Sequence, residues 1–425
     1  MDFTAIGPRL QSVLGLFAFC GIAWALSERK SAFPWRQVAI TLPLQIVLAA
    51  FFLRVPAARN SLDALNGLVA AVSAATQQGT EFLFGYVGST DTPFAVTGEN
   101  GGLLFVFAFQ ALPLLVVVSA LSAVLWHWGI LKLVIRGFAL VLSRVLGTGG
   151  AVSLAASANV LLGQTEAPLL IRAYLASLTR AELFAVITCG YATVAGTVMV
   201  LYATILGTLR PDVLGHIIVA SIIAVLGGLL LARIMVPPRE GEEATTAAAG
   251  EGFEYEDTMD AFVTGATEGG KLWANIIIAI LAFVALVGLL NIIMGAWLPD
   301  VNGAPLTLER MLGWLFAPLV WLAGIPAGEA MDAGELMGIK TAVNEVVAYI
   351  ALVGSEPGTF DPRSELVMIY ALCGFANVSS IGIVIGGLSA LEPSRRRDVL
   401  DLAPKGIVAG TLATLGSGAC VGLVY

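Results

Sequence analysis

GQTEAP, Gly163–Pro168, decides how this chain is read; it lies inside the run AVSLAASANVLLGQTEAPLLIRAYL, residues 151–175. An apolar stretch sets Gln, Thr and Glu side by side and follows them with proline, which removes a backbone donor and clashes with the preceding helical turn. Residues 150–175 therefore do not read as a clean membrane crossing. They read as a re-entrant hairpin that enters, turns at a polar tip and leaves on the same side. Residues 313–350, broken by GIPAGEAMDAGE and by VNEVV, read the same way.

The surrounding composition makes the solvent a bilayer. Of 425 residues, 58% are hydrophobic and 12% charged, with mean hydropathy +0.89; a soluble domain carries about 25% charged residues. The apolar residues fall in long blocks rather than alternating ten-residue strands, so the spans are helices and not a barrel. Leu10–Leu26 lacks a charged leader and a cleavage site and reads as a retained first span. The formal charge of −8 is concentrated in one loop, and no nucleic-acid partner is expected. Cys20, Cys189, Cys373 and Cys420 are scattered singly, and only His127 and His216 are present, so neither a disulfide framework nor a histidine metal site is indicated.

The expected architecture is an all-α polytopic membrane protein: eight transmembrane helices, two re-entrant hairpins and interfacial helices. Candidate spans are 8–26, 37–53, 103–131, 181–206, 213–236, 272–297, 365–391 and 405–425, each near the ~20 residues that cross ~30 Å of hydrocarbon. Residues 61–85 read as an amphipathic helix along the interface. With both termini outside, Lys and Arg concentrate inside, at 29–36, 132–144, 172–180, 233–271 and 395–405, as cytoplasmic loops require. Residues 239–260 read as a solvated acidic linker leading into a short surface helix. The order hairpin, span, span occurs twice with opposite topology, an inverted repeat whose interrupted segments point to a transport site near the midplane. The expected divisions are residues 1–145 (N-terminal spans and scaffold), 146–236 (first repeat), 237–312 (linker and scaffold span) and 313–425 (second repeat).

Four clusters carry most of the intramembrane polarity after residue 150: Asn159 with Gln164, Thr165 and Glu166; GYATVAGTV at Gly190–Val198; Asn344 with Glu345; and GFANVSSIGI at Gly374–Ile383. A carboxylate at the bilayer centre costs at least ~2.5 kcal/mol, so Glu166 and Glu345 must face a partner or a wet cavity. A helix-packing seam accounts for small residues but not for two carboxylates and the amides beside them. No Arg or Lys lies within the clusters, so an anionic solute would lack a counter-charge. Gln164, Asn377, Thr165 and Ser380 offer paired donors and acceptors, and Phe375 can flank a ring. Unwound backbone at Gly190–Gly196 beside Asn159 can expose carbonyls to a small cation. The residues thus indicate a cation-coupled carrier of a small neutral polar solute. An intramembrane enzyme, a channel and a symporter for a nucleobase or amino acid are the competing readings. Trp126–Trp128 reads as an interfacial anchor.

These motifs resemble the concentrative nucleoside transporter family. GQTEAPLL, the run from Glu182 to Met199, KTAVNEVVAY (Lys340–Tyr349) and CGFANVSSIGI (Cys373–Ile383) occur in the family's order, and the likeness covers about residues 100–425. The resemblance implies a homotrimer in the inner (plasma) membrane, each protomer moving a nucleoside by alternating access, coupled to sodium or, as in some relatives, to protons. It implies nucleobase contacts from Gln164, Thr165, Glu166, Val198 and Phe375, and ribose contacts from Glu345, Asn377 and Ser380. It places sodium at Asn159, the Leu162 carbonyl, Thr193 and the Val194 carbonyl.

Overall fold

The computed structural model describes residues 7–89, 91, 93, 94, 105–164, 166–242, 245, 254–301, 303 and 305–425. Thr165 and most of the acidic stretch 243–253 lie outside the described residues. The elements are helices, in the order α1 (Pro8–Ala25), α2 (Trp35–Arg54), α3 (Pro56–Phe84), α4 (Phe107–Gln110), α5 (Leu114–His127), α6 (Ile130–Leu146), α7 (Gly150–Ala158), α8 (Arg180–Ala192), α9 (Gly196–Leu206) and α10 (Val213–Met235). There follow α11 (Thr258–Trp297), α12 (Leu308–Leu322), α13 (Ala330–Ala342), α14 (Glu345–Val353), α15 (Pro362–Leu372), α16 (Val378–Leu391) and α17 (Arg396–Val424). Six stretches among the described residues are long and apolar enough to cross a membrane: α2, α4–α5, α8–α9, α10, α11 and the stretch Pro393–Val424 that holds α17.

Local sequence explains where the central helices start and stop. Thr179 and Glu182 form a capping box at the start of α8, each side chain taking up the other residue's backbone N–H. Asn344, Asp361 and Asn377 cap α14, α15 and α16 in the same sense, accepting from the backbone N–H three residues on. α8, α10 and α17 are buried along most of their length and form the centre of the molecule. α11 is the opposite: Ile278, Leu281 and Ile292 are more than 60% exposed, so its apolar face is bare in a single protomer. It is held by α5, where Gly265 and Gly269 let the two backbones touch.

Four expectations are corrected. Residues 313–350 are not one two-armed hairpin; α12, α13 and α14 are three helices, with breaks at both predicted positions. The expected surface helix and the span 272–297 are one helix, the 40 residues of α11, about 60 Å long; Gly265, Gly269 and Gly270 do not stop it, since the first two are packing contacts. The span expected at 405–425 starts earlier, because α17 runs through Pro404 from Arg396. The span expected at 103–131 ends earlier: α4 and α5 make one apolar stretch, Phe107–His127, with 103 and 104 outside the described residues, and Gly129, at φ +81°, turns the chain into α6, whose basic residues were expected in a loop. α6 buries Ile135, Leu142 and Leu146 on one side and carries Lys132, Arg136 and Arg144 elsewhere, an amphipathic pattern.

The two excursions of the chain return to the ends they left. A cavity of about 180 Å³ is lined both by Gly147–Gly149, before α7, and by Thr179–Glu182, at the start of α8. At the other end Asp361, before α15, donates its N–H to Glu329, before α13. Charge separates the same two ends. At the first, Glu28 takes Arg180 at 2.7 Å and Lys405 at 2.9 Å, while Asp401 also pairs with Arg180. At the second, Arg54 and Arg363 cap the last carbonyls of α17 at Val424 and Gly422.

Glu28 makes a pH prediction. Its carboxyl is held below the ordinary glutamate value chiefly by the Arg180 hydrogen bond. A lowered folded-state value contributes stability above the ordinary range, near 4.3, that disappears as pH falls through the folded value. Glu28→Gln is expected to cost about 1 kcal/mol at pH 7 and progressively less as the pH falls below the ordinary glutamate value, read from thermal unfolding in detergent. A cost unchanged across that range would refute the assignment.

Candidate functional site

Two helices break in their middles, and the breaks meet. α8 ends at Ala192, Thr193 is extended (φ −119°, ψ 174°) and α9 restarts at Gly196. α15 ends at Leu372 and α16 restarts after Asn377 (φ −141°, ψ 166°). The Phe375 N–H donates to the Thr193 carbonyl at 3.2 Å, so the two unwound stretches touch. A Cβ on Gly374 would stand 2.9 Å from the Tyr191 carbonyl oxygen, and one on Gly196 would stand 2.6 Å from that of Leu161. The crossing and the docking of the first polar tip therefore need glycine at both positions. Each break leaves a helix N-terminus with positive partial charge and a C-terminus with negative partial charge at the centre of the molecule.

The N-terminal ends gather the polar side chains. Glu345 is the first residue of α14 and is 4% exposed. Its Oε1 accepts from the Tyr202 hydroxyl at 2.6 Å and its Oε2 from Asn377 Nδ2 at 2.9 Å. Asn377 Oδ1 in turn accepts from Ser379 Oγ and from the Ser380 N–H. Gln164 Nε2 donates to Ser380 Oγ at 3.2 Å, joining the tip after α7 to the start of α16, while its Oε1 is buried without a partner. Among the described residues Glu166 accepts from the Gly163 N–H, at 3.2 Å, and turns back on its own loop. Val198 is buried on α9, and Phe375 is half-buried in the second break. Of the residues expected around a base and a sugar, Gln164, Ser380, Asn377 and Glu345 are thus joined by a chain of hydrogen bonds, while Thr165 lies outside the described residues.

The C-terminal end of α8 faces a different set. Asn159 is 1% exposed, and its Nδ2 donates to the Ala155 carbonyl while Oδ1 is buried with no partner. Thr193 Oγ1 donates to the Cys189 carbonyl, leaving its lone pairs free. No hydrogen bond from a described residue ends on the carbonyl oxygens of Leu162 or Val194. An orphaned amide oxygen, a hydroxyl and open carbonyls at the negative end of a half-helix are hard oxygen donors and fit a small monovalent cation.

Three residues were given no role by the sequence reading, although Tyr191 and Lys340 lie within its motifs. Tyr202 looked like one more residue of an apolar half-helix, yet it is Glu345's partner. Tyr191 donates its hydroxyl to the Ser380 carbonyl at 3.4 Å. Lys340 corrects the expectation that no cationic side chain belongs to the clusters: it is fully buried, and its Nζ bonds the Ala371 carbonyl at 2.9 Å and Thr414 Oγ1 at 3.0 Å. It thus sits at the C-terminal end of α15, within electrostatic reach of Glu345.

Comparison with known proteins identifies the family. Models described as the N-terminus and the C-terminus of the Na+ dependent nucleoside transporter match residues 14–87 and 216–422, and a model described as nucleoside recognition matches 108–209. The chain is 37% identical to an uncharacterized transporter of Haemophilus influenzae, covering 97% of each chain. It is 34% identical to the nucleoside permease NupC of Helicobacter pylori, again over 97% of each. The mouse sodium/nucleoside cotransporter 1 is 31% identical over all of this chain and 65% of its own length. Among solved structures, CNTnw in an inward-facing substrate-bound state superposes with a TM-score of 0.88 at 39% identity, covering 98% of both chains. A CNTnw variant in an outward-facing state gives 0.87 at 38%, covering 98% of this chain and 97% of the other. This chain is accordingly a multi-pass membrane transporter and not an enzyme, and it belongs to the concentrative nucleoside transporter family.

Proposed function

We propose that the protein is a sodium-coupled nucleoside symporter of the inner (plasma) membrane that works by alternating access. The observation that carries this reading is the junction of Gln164, Ser380, Asn377 and Glu345 beside the orphaned Asn159 oxygen. Gln164 and Glu166, with Val198 and Phe375, take the nucleobase. Glu345 and Asn377 take the ribose hydroxyls, since each Glu345 oxygen keeps a further lone pair. Asn159, the Leu162 and Val194 carbonyls and Thr193 hold the cation. When bound, the ion supplies a positive charge that favours the tip after α7 docked against the break in α8. Asn159 and Gln164 belong to that one tip, so fixing the first orients the second. Coupling is the difference in nucleoside affinity between the two states.

The excursions α7–Thr179 and α13–α14, returning to opposite ends, support re-entrant hairpins and an inverted repeat over 146–236 and 313–425. The bare apolar face of α11 leaves room for the neighbouring protomers of a homotrimer. The half-buried Glu166 carboxyl, held among the described residues by the Gly163 N–H, favours protons as the second candidate for the coupling ion.

The test is uridine and adenosine uptake into proteoliposomes, with and without an inward sodium gradient at fixed pH. Sodium-driven accumulation is expected. Accumulation driven by a proton gradient alone removes the sodium assignment, and none under either gradient overturns the reading. Asn159→Ala is expected to raise the half-saturating sodium concentration about tenfold or more, the loss of one charged interaction of about 1.5–3 kcal/mol. Nucleoside affinity at saturating sodium should change little. An unaltered sodium dependence would take Asn159 out of the cation site.

A further inference from the structure

Arg36, in the first turn of α2, Arg144, in the last turn of α6, and Arg233, in the last turn of α10, line one cavity of about 290 Å³ at the Lys/Arg-rich end of the molecule. None of the three makes a hydrogen bond or ion pair with a described residue. Among the described residues, three carboxylates of this end are engaged elsewhere. Glu28 is taken by Arg180 and Lys405, Glu182 by Thr179 and Thr245, and Glu242 by the Arg239 N–H. Three like charges brought together from three helices repel one another unless an anion joins them. The planar guanidinium fork matches the oxygens of a phosphate.

The walls say where that phosphate comes from. Leu140, Val141 and Val145 are 57%, 58% and 39% exposed on α6, and Val145 itself lines the cavity. Trp35, next to Arg36, is 75% exposed. A cationic cavity rimmed by bare apolar side chains on an amphipathic helix is the arrangement that holds a headgroup in the cavity and acyl chains over the rim. A soluble anion has no use for the rim. We propose that the Arg36–Arg144–Arg233 cavity binds the headgroup phosphate of an anionic phospholipid. α6 runs through Gly147 into the tip-bearing excursion, so one lipid ties α2 and α10 to the segment that leads to Gln164.

The test uses the full chain purified in neutral detergent, titrated with phosphatidylglycerol, with phosphatidylcholine or with inorganic phosphate, and read by native mass spectrometry and thermal unfolding. Phosphatidylglycerol is expected to bind about tenfold tighter than phosphatidylcholine. The Arg36→Gln, Arg144→Gln, Arg233→Gln triple variant should lose that preference, and Lys at the same three positions should retain part of it. Should the triple variant not fold, Arg144→Gln alone, at an exposed position, is expected to weaken binding about threefold. Equal binding of the two lipids by the wild type, or an unchanged preference in the Gln variants, overturns the proposal. Stabilisation by inorganic phosphate equal to that by phosphatidylglycerol also overturns it, in favour of a soluble anion.

Discussion

Glu345→Gln is expected to reduce nucleoside uptake about a hundredfold or more while leaving a folded protein. The carboxylate is buried, takes Tyr202 on one oxygen and Asn377 on the other, and stands at the positive end of α14. In the proposed complex its remaining lone pairs accept from two ribose hydroxyls. Two charge-assisted hydrogen bonds are each worth about 1.5–3 kcal/mol, and together they correspond to about two to four decades of affinity. An amide of the same shape carries no charge and accepts on one atom only, so the charge assistance to both hydroxyls is lost. Folding survives because the Tyr202 hydroxyl can turn to accept from the amide. Tyr202→Phe should be milder, about tenfold, since it removes an orienting partner and not the acceptor. Uptake in proteoliposomes, with nucleoside binding by calorimetry, checks both. Wild-type uptake by the Glu345→Gln protein would end the ribose assignment.

How much of this was legible depends on the reach of each signal. Interruptions are local, and the sequence located them: the breaks at 193–195 and 373–377 fall within or next to Gly190–Val198 and Gly374–Ile383, where Gly, Thr and Asn replace helix-forming apolar residues. The ends of helices were legible only where a cap or proline stood. α11 ran 14 residues further back than hydropathy suggested because nothing in Thr258–Leu272 stops a helix. α6 carried a clear amphipathic spacing, and its basic residues drew the reading towards a loop. The partners inside the site were not legible. Tyr202 and Glu345 are 143 positions apart, and Gln164 and Ser380 are 216 apart. Such pairs exist only once the two broken helices cross, which no local periodicity encodes. Lys340 was hidden for a related reason. A lysine in an apolar helix normally reaches for water along its stem, whereas this one reaches inward to the end of another helix.

Lys340→Met is the substitution expected to cost most stability, about 3–5 kcal/mol, because it removes two hydrogen bonds from a buried charged donor, each worth about 1.5–3 kcal/mol. The Ala371 carbonyl at the end of α15 loses its donor and Thr414 Oγ1 loses another. Aligning the restarts of the two broken helices, Gly196 with Val378, sets Lys340 opposite Ala158, beside Asn159. Under the proposed inverted repeat, each broken helix then presents a negative C-terminal end to a cation. In the first repeat that cation comes and goes; in the second it is a side chain that cannot leave. Sodium would then move only one hairpin, and the Glu345 side would stay assembled throughout the cycle. If the charges are a pair, Glu345→Gln in the Lys340→Met background should cost less than the two single changes added together, by 1 kcal/mol or more. Thermal unfolding of the four proteins reads this directly. Additive losses would mean that Lys340 serves α15 alone, and the balance of charge at the sugar-binding end would need another source.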